Sequence, residues 1–482
     1  MSLPEFNATQ SEQRSSWLWD RVSEQTGSGS GVMLVDSGIE ALRHRHALIT
    51  SAERTIDAQY YIWNSDTSGL QLVARLVEAA DRGVHVRLLL DDFSIEGRDI
   101  GLRTLDSHPR IEVRIFNPVV QRNAVLRWFS LLSDVNRISR RMHNKALIVD
   151  GALAVVGGRN VGDEYFDLDP EMNFRDRDLL VAGPAVTELT TGFVGYWEHP
   201  LSIPVAELVA SPPEPEMFDG LPSADAPEAV AAGLPQDGRR WIDDLILPAL
   251  RWSPVEVLYE RPGHAPGEGG DKTPLIAERL GQLLDDTEHE VLIESAYLVL
   301  LDEARGTIAR AIARGIDIQV LTNSLASNDV LANHAGYAAH RAAVLRSGVA
   351  LHEMRPDAAA CHRAAPDGCG MSPRYGLHSK SAVFDQRTLF VGSFNLNPRS
   401  AYLNTELVLV VHDAELARQA SSAIEPFLGV DSSWRLSLDA RGRVVWHALA
   451  DGAGEHTTDP GTSAWRRLGA DLLGLIPGVE HF

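Results

Sequence analysis

The chain has 482 residues, 44 basic against 66 acidic side chains, a formal net charge of −22 and 44% hydrophobic residues. It is long enough for two or more globular domains, and its acidity argues against general nucleic-acid binding over the whole surface. Two cysteines, Cys361 and Cys369, cannot make a disulfide framework. With no run of about 18 apolar residues and no basic-then-apolar leader at the N-terminus, a cytoplasmic setting is expected.

In chain order, Thr55 to Trp63 has strand composition. An apolar helical series follows at Leu72, Leu76, Ala79 and Ala80, and then the strand-like run from Arg82-Gly83 to Leu90. This β-α-β order returns at Val291–Tyr297, at Ile308, Ala311 and Ile312, and from Arg314-Gly315 to Leu321. Tyr61 stands 82 residues before His143 and Tyr297 stands 81 before His378. A duplicated fold is the economical reading. The expected domains are a first half at 1–205, a Pro-rich linker at 206–240, a second half at 241–430, and a tail at 431–482. The tail holds a hairpin between Trp434 and Trp446 and a helix from Ala464 to Ile476.

Residues 124–135 place Val125, Trp128, Phe129, Leu132 and Val135 on one helical face. Arg122, Arg127, Arg137, Arg140 and Arg141 surround it. The segment reads either as an interfacial helix or as a helix packed on the core. The terminal helix, with Trp465, Leu468, Leu472 and Leu475 beside Arg466 and Arg467, is a second interfacial candidate. There, core packing is the simpler expectation.

The most informative pattern occurs twice. It reads His143-Asn-Lys145, Asp150, Gly157-Gly158-Arg-Asn160, and again His378-Ser-Lys380, Asp385, Gly392-Ser393-Phe-Asn395. In each copy Lys follows His by two, Asp follows Lys by five, and Asn follows His by seventeen. Strands over Met142–Val149 and Leu377–Phe384 would put each His and Lys on one face. Two imidazoles and two ammonium groups suit phosphoryl chemistry. Gly158 and Ser393 would let the backbone approach a phosphate, and Asn160 and Asn395 could donate to its oxygens. Each histidine needs a carboxylate to fix its tautomer. Asp178 and Glu406, each opening an apolar strand, are the first choices, with Asp176 as a rival. Asp150 and Asp385, at turns, are expected to brace the fold or the lysines. The Cys361–Cys369 segment reads as a flap or as a loop without a role.

At these residues the chain resembles the phospholipase D superfamily, and within it bacterial cardiolipin synthases of the C type. The resemblance covers roughly 30–430. It also rests on Gln59–Trp63, Gly157–Phe166, Val391–Ser400 and Asn404–Glu406. It implies two homologous α/β/α halves with mixed sheets, related by a pseudo-twofold, with the active site between them. It further implies a covalent phosphatidyl-histidine and no metal or cofactor. The expected substrates are phospholipids, phosphatidylglycerol first and phosphatidylethanolamine as a further candidate, met in peripheral contact with the inner membrane. His143 would be the nucleophile and His378 the acid and base. Arg140 and Arg141 would join Gly158 and Ser393 in binding substrate, with Trp128 and Phe129 touching the bilayer. Hydrolytic phospholipase D activity and a phosphodiester nuclease are the alternatives.

Overall fold

The computed structural model describes residues 16–25, 29–94, 99–119, 139–223, 233–262, 275–364, 369, 372–448, 454–476 and 478. Trp128, Phe129, Arg122, Arg127 and Arg137 therefore lie outside the described residues. The chain forms two compact units. One comprises Met1–Met33, Leu42–Val156 and Leu179–Val257; the other comprises Leu34–Ala41, Gly157–Asp178 and Leu258–Phe482.

The first unit is built on a nine-stranded sheet. Its strands are β1 (Ser30–Val35), β2 (Thr55–Tyr60), β3 (His85–Asp91), β4 (Ile111–Phe116), β5 (Ala146–Val149), β6 (Leu153–Gly157), β8 (Asp178–Ala182), β9 (Ser202–Pro204) and β10 (Arg251–Ser253). Their order is β10-β1-β8-β6-β5-β2-β3-β4-β9. β2, β3 and β4 run parallel, while β5 is antiparallel to both β2 and β6. Parallel neighbours require crossovers, and helix α2 (Thr67–Asp81), which follows α1 (Gly38–Ser51), supplies the one between β2 and β3. Every residue of β2 and β5 is buried, as expected for strands covered on both faces.

The second unit repeats the plan. Its ten-stranded sheet has β11 (Val255–Tyr259), β12 (Glu290–Ser295), β13 (Asp317–Asn323), β14 (Ala350–Met354), β16 (Lys380–Phe384), β17 (Thr388–Gly392), β18 (Leu407–Val411), β19 (Ser433–Leu438), β20 (Val444–His447) and β21 (Glu455–His456). The order β18-β17-β16-β12-β13-β14 matches β8-β6-β5-β2-β3-β4 strand for strand. A small parallel pair, β7 (Asn173–Arg175) with β15 (Tyr375–Leu377), belongs to this unit too. Its main helices are α4 (Leu275–Asp286), α5 (Asp302–Ala313), α6 (Leu331–Arg346), α7 (Ala414–Ile424) and the terminal α8 (Ala464–Leu473), while α3 (Pro184–Trp197) belongs to the first unit.

The repeated Arg-Gly pairs have a structural cause. Gly83 and Gly315 end α2 and α5 with φ of +99° and +97°, a left-handed conformation suited to glycine. The arginines before them reach sideways. Arg82 donates to the carbonyls of Ile49 and Thr50 in the last turn of α1, and Arg314 donates to Leu284 and Asp285 in the last turn of α4. Each guanidinium thus covers orphan carbonyls at the negative end of a helix.

The terminal helix differs from the expectation that it packs its apolar side on the core. Ala470 is its buried residue. Trp465 is 81% exposed, Leu475 78% and Leu472 57%. Arg466 ties the helix to the unit by donating to the carbonyls of Leu325 and Asn328. Cys361 and Cys369 are bonded to each other.

Candidate active site

The strands of the two motifs begin later than expected, at Ala146 and Lys380, so both histidines precede the ladder. The segment at His378 is fixed by other bonds instead. The N–H groups of His378 and Ser379 both donate to the carbonyl of Arg175 at the end of β7. In both copies the lysine ammonium turns back to the carbonyl of its own histidine, Lys145 to His143 at 2.6 Å and Lys380 to His378.

Asp150 and Asp385 occupy matching positions. The Asp150 carboxylate accepts from the backbone N–H groups of Glu53, Arg54 and Thr55. Asp385 accepts from Glu288, His289 and Glu290 in the same way. Each clamps the chain entering a central strand, β2 or β12. Both turns are left-handed, with φ of 52° at Asp150 and 60° at Gly151, and 50° and 51° at Asp385 and Gln386.

In the second unit, His378 is buried and boxed by rings. Tyr165 lies 5.0 Å, Phe174 5.5 Å and Tyr297 6.4 Å from its ring centre. Its Nδ1 is 2.5 Å from Oδ2 of Asp176 and 2.9 Å from Nζ of Lys380. Burial alone would raise the Asp176 carboxyl, but the charges of His378 and Lys380 hold it well below the usual carboxylate range. An ionised Asp176 places a proton on Nδ1, which leaves Nε2 as the reactive nitrogen. Burial pushes the Lys380 ammonium down to about 8, against the opposing pull of Asp176, Glu406 and Asp329.

The carboxylate on His378 is therefore Asp176, the rival to Asp178. Asp178 instead forms an ion pair with Arg159 at 3.3 Å. The backbone register explains the misreading. Gly158 N–H donates to the Arg177 carbonyl, and Ser393 N–H donates to the Leu407 carbonyl. Taking Gly158 as the counterpart of Ser393 makes Asp176, two residues before Asp178, the counterpart of Glu406. Glu406 accepts a short hydrogen bond from Ser393 Oγ, and its own N–H donates to Glu260. At Gly158 a Cβ would fall 2.2 Å from Oδ1 of Asp176. The glycine makes room for the orienting carboxylate, a role distinct from the phosphate approach expected of it.

Asp176 is held by a buried ionic frame absent from the sequence reading. Glu294 accepts from Arg175 and Arg177, both at 2.6 Å, and from Ser379 and Ser381 at 3.0 and 2.8 Å. Burial raises the Glu294 carboxyl, but the two guanidinium groups outweigh it and bring it down to about 2. Arg177 also pairs with Asp36 at 2.7 Å. Arg159 donates to the carbonyls of Val35, Asp36 and Asp176. The signal was the alternation Arg175-Asp-Arg177 on either side of Asp176.

Asn160 donates to Tyr165 Oη at 3.1 Å, and Asn395 Oδ1 accepts from the N–H of Tyr297 at 3.3 Å. Both amides thus border rings that pack on His378.

In the first unit, Tyr61 packs edge-on against His143 at 4.9 Å, and Lys145 lies 5.2 Å from the same ring. Phe93 stacks on Tyr61 at 5.2 Å. Arg141 is buried beside Asp91 at 3.3 Å. The Arg140 carbonyl accepts from Asn117, and its exposure is intermediate.

Two copies of one sheet order, each with a His-x-Lys motif at the start of an interior strand, define a phospholipase D-like protein. Residues 46–197 and 280–427 match the family described as cardiolipin synthase, phospholipase D-like domain, and the chain belongs to that family. It is a phosphatidyltransferase of this superfamily. Cardiolipin synthase C of Escherichia coli K12 is 38% identical over 93% of this chain and 95% of its own length. Cardiolipin synthase A of Pseudomonas syringae is 24% identical over 82% of this chain and 67% of its own. Phosphatidylserine synthase of Haemophilus influenzae Rd KW20 shares the fold, with a TM-score of 0.56, 14% identity, and coverage of 86% of this chain and 91% of that one.

Proposed function

We propose that the protein makes cardiolipin by moving a phosphatidyl group between phospholipids through a phosphohistidine. The observation that carries this is the Asp176–His378–Lys380 cluster, on a chain that matches a cardiolipin synthase nearly end to end. His143 Nε2 attacks the phosphorus of phosphatidylglycerol, forming a P–N bond as the P–O bond to the terminal glycerol breaks. His378, protonated on Nε2, gives its proton to that leaving glycerol. The neutral imidazole then takes the proton of a second phosphatidylglycerol hydroxyl, whose oxygen displaces His143. The products are cardiolipin and glycerol. Lys145, Lys380, Asn160 and Asn395 would stabilise the charge on the phosphoryl oxygens, as a metal does in other phosphoryl transfers.

The lipid substrate calls for contact with a bilayer, and α8 supports a peripheral one at the inner membrane. Its exposed Trp465, Leu468, Leu472 and Leu475, with Ile476 after it, fall on one side, opposite Ala470. Among the described residues no helix is long and apolar enough to cross a membrane. The segment containing Trp128 and Phe129 is a second contact in this proposal.

The test is to incubate the purified protein with phosphatidylglycerol, with and without phosphatidylethanolamine, and to analyse the lipids. Cardiolipin is expected. Phosphatidic acid alone would replace the reading with hydrolytic phospholipase D, and DNA cleavage without lipid turnover would replace it with a nuclease. Quenched enzyme should carry labelled phosphatidyl on His143. Label on His378 would reverse the roles, and label on a His143→Ala, His378→Ala double variant would end the mechanism.

A further inference from the structure

The second unit contains a cavity of about 930 Å³ that the proposed phosphoryl chemistry does not use. Well-packed interiors leave few voids larger than a water molecule, whereas clefts that bury a small ligand measure about 300–1,000 Å³. This space is of ligand size and too large for a packing defect.

Its floor is one face of the sheet. Val291 and Ile293 of β12 stand opposite Phe384 and Ala382 of β16, and Ala382 stands opposite Phe390 of β17. Side chains alternate along a strand, so Lys380, two residues before Ala382, points to the same face. The opposite wall is helical and carries Leu280, Gly281 and Leu284 of α4 and Ile308 of α5. The lining also includes Val299 and Leu300, just past Tyr297, and Leu396, just past Asn395. A hydrogen bond from Val299 N–H to the Leu396 carbonyl joins those two segments at 2.8 Å. Val299 and Leu396 of the lining thus sit within two residues of Tyr297 and Asn395, which border His378. Of its charged lining residues, Glu278, Asp285, Asp302, Glu303 and Arg310 are exposed and Arg305 is half-buried, while Glu294 of the ionic frame is buried together with the hydrophobic residues of the sheet.

Gly281 gives a second, independent indication. Glycine is a poor choice inside a helix, yet it stands in the middle of α4, on the cavity wall. A Cβ built there would meet nothing within 4 Å. The glycine widens a space that a larger side chain would narrow without any clash.

We infer that this cavity receives an acyl chain of the phospholipid whose phosphate is held at His378 and Lys380. The inference rests on the lipid reading above and adds to it a site of chain recognition. An unbranched hydrocarbon suits such a site. It presents no polar group to leave unpaired among Val291, Ile293, Phe384 and Phe390, and it removes apolar surface from water on both sides.

The probe is an alkyl phosphate, used below its micelle concentration on the full chain. Dodecyl phosphate should bind wild type saturably, at least tenfold more tightly than butyl phosphate. In Gly281→Phe, which fills the space, and in Leu284→Trp, the dodecyl affinity should fall toward the butyl value, with the butyl value unchanged. Equal affinity of the two phosphates for wild type would overturn the inference without any variant. Retention of the full chain-length preference in a folded Gly281→Phe would overturn it too. The turnover assay is separate. Chain-length-dependent binding without cardiolipin formation would sink the proposed function and leave the cavity assignment standing, and cardiolipin formation without that dependence would do the reverse.

Discussion

The Asp176 carboxylate lies 2.5 Å from Nδ1 of His378, across 202 residues of sequence. The carboxylate belongs to the first copy of the repeat and the imidazole to the second. Both belong to the second compact unit, because residues 157–178 pack there. The frame of Glu294, Arg175, Arg177 and Asp36 keeps them together.

Asp176→Asn should keep the fold and lose activity. The amide cannot hold an Nδ1 proton as an ionised carboxylate does, so the imidazole can take the wrong tautomer. Cardiolipin formation should drop by about 10²–10⁴-fold with little change in KM. A steady-state assay on the folded variant checks this, and a loss under tenfold would remove Asp176 from the role of orienting residue. Gly158→Ala should show a weaker loss of the same kind, since its methyl group displaces the carboxylate.

Glu294→Gln should destabilise the second unit by about 3–5 kcal/mol, because it removes the buried counter-charge of Arg175 and leaves Arg177 with Asp36 alone. Denaturant unfolding would measure it. The same pair fixes the sign of the acid response. The folded-state value, about 2, lies below the ordinary carboxylate range. The stabilisation is therefore fully present above about pH 5 and fades as pH falls toward 2. Wild type should lose stability over that window more steeply than Glu294→Gln.

Lys380 should make activity and stability move in opposite directions at alkaline pH. Burial lowers its ammonium to about 8, below the value near 10.4 of an unfolded lysine. Between those values the unfolded chain binds more protons, so this residue's contribution to stability rises with pH. The phosphate needs the charged form, so kcat/KM should fall as pH passes 8. Lys380→Arg should move the alkaline limb upward while retaining measurable turnover. A limb unmoved by that substitution would assign it to another group.

Leu472→Glu with Leu475→Glu should weaken binding to phosphatidylglycerol vesicles at least tenfold and leave the unfolding midpoint unchanged. Both side chains are more than half exposed, so little native packing is lost. Vesicle sedimentation beside thermal unfolding distinguishes this from a structural effect. A large fall in the midpoint would mean that the face packs on protein.

Much of this protein is local and could be read along the chain. The β-α-β units, the Arg-Gly helix ends and the two motifs with their lysines, aspartates and asparagines all depend on short-range spacing. That spacing survives because each copy repeats the same backbone geometry, down to the three N–H groups gathered by Asp150 and by Asp385. The partners of the buried charges were not legible. Whether Asp176 or Asp178 meets a histidine depends on register: the two are two residues apart and share a face in extended chain, so alternation does not choose between them. The insertion after Asn160 hid that register. Likewise, the sequence of α8 reveals an apolar stripe but not which side of the helix the rest of the protein covers. Periodicity fixes a face, and only tertiary packing decides whether it meets protein or solvent.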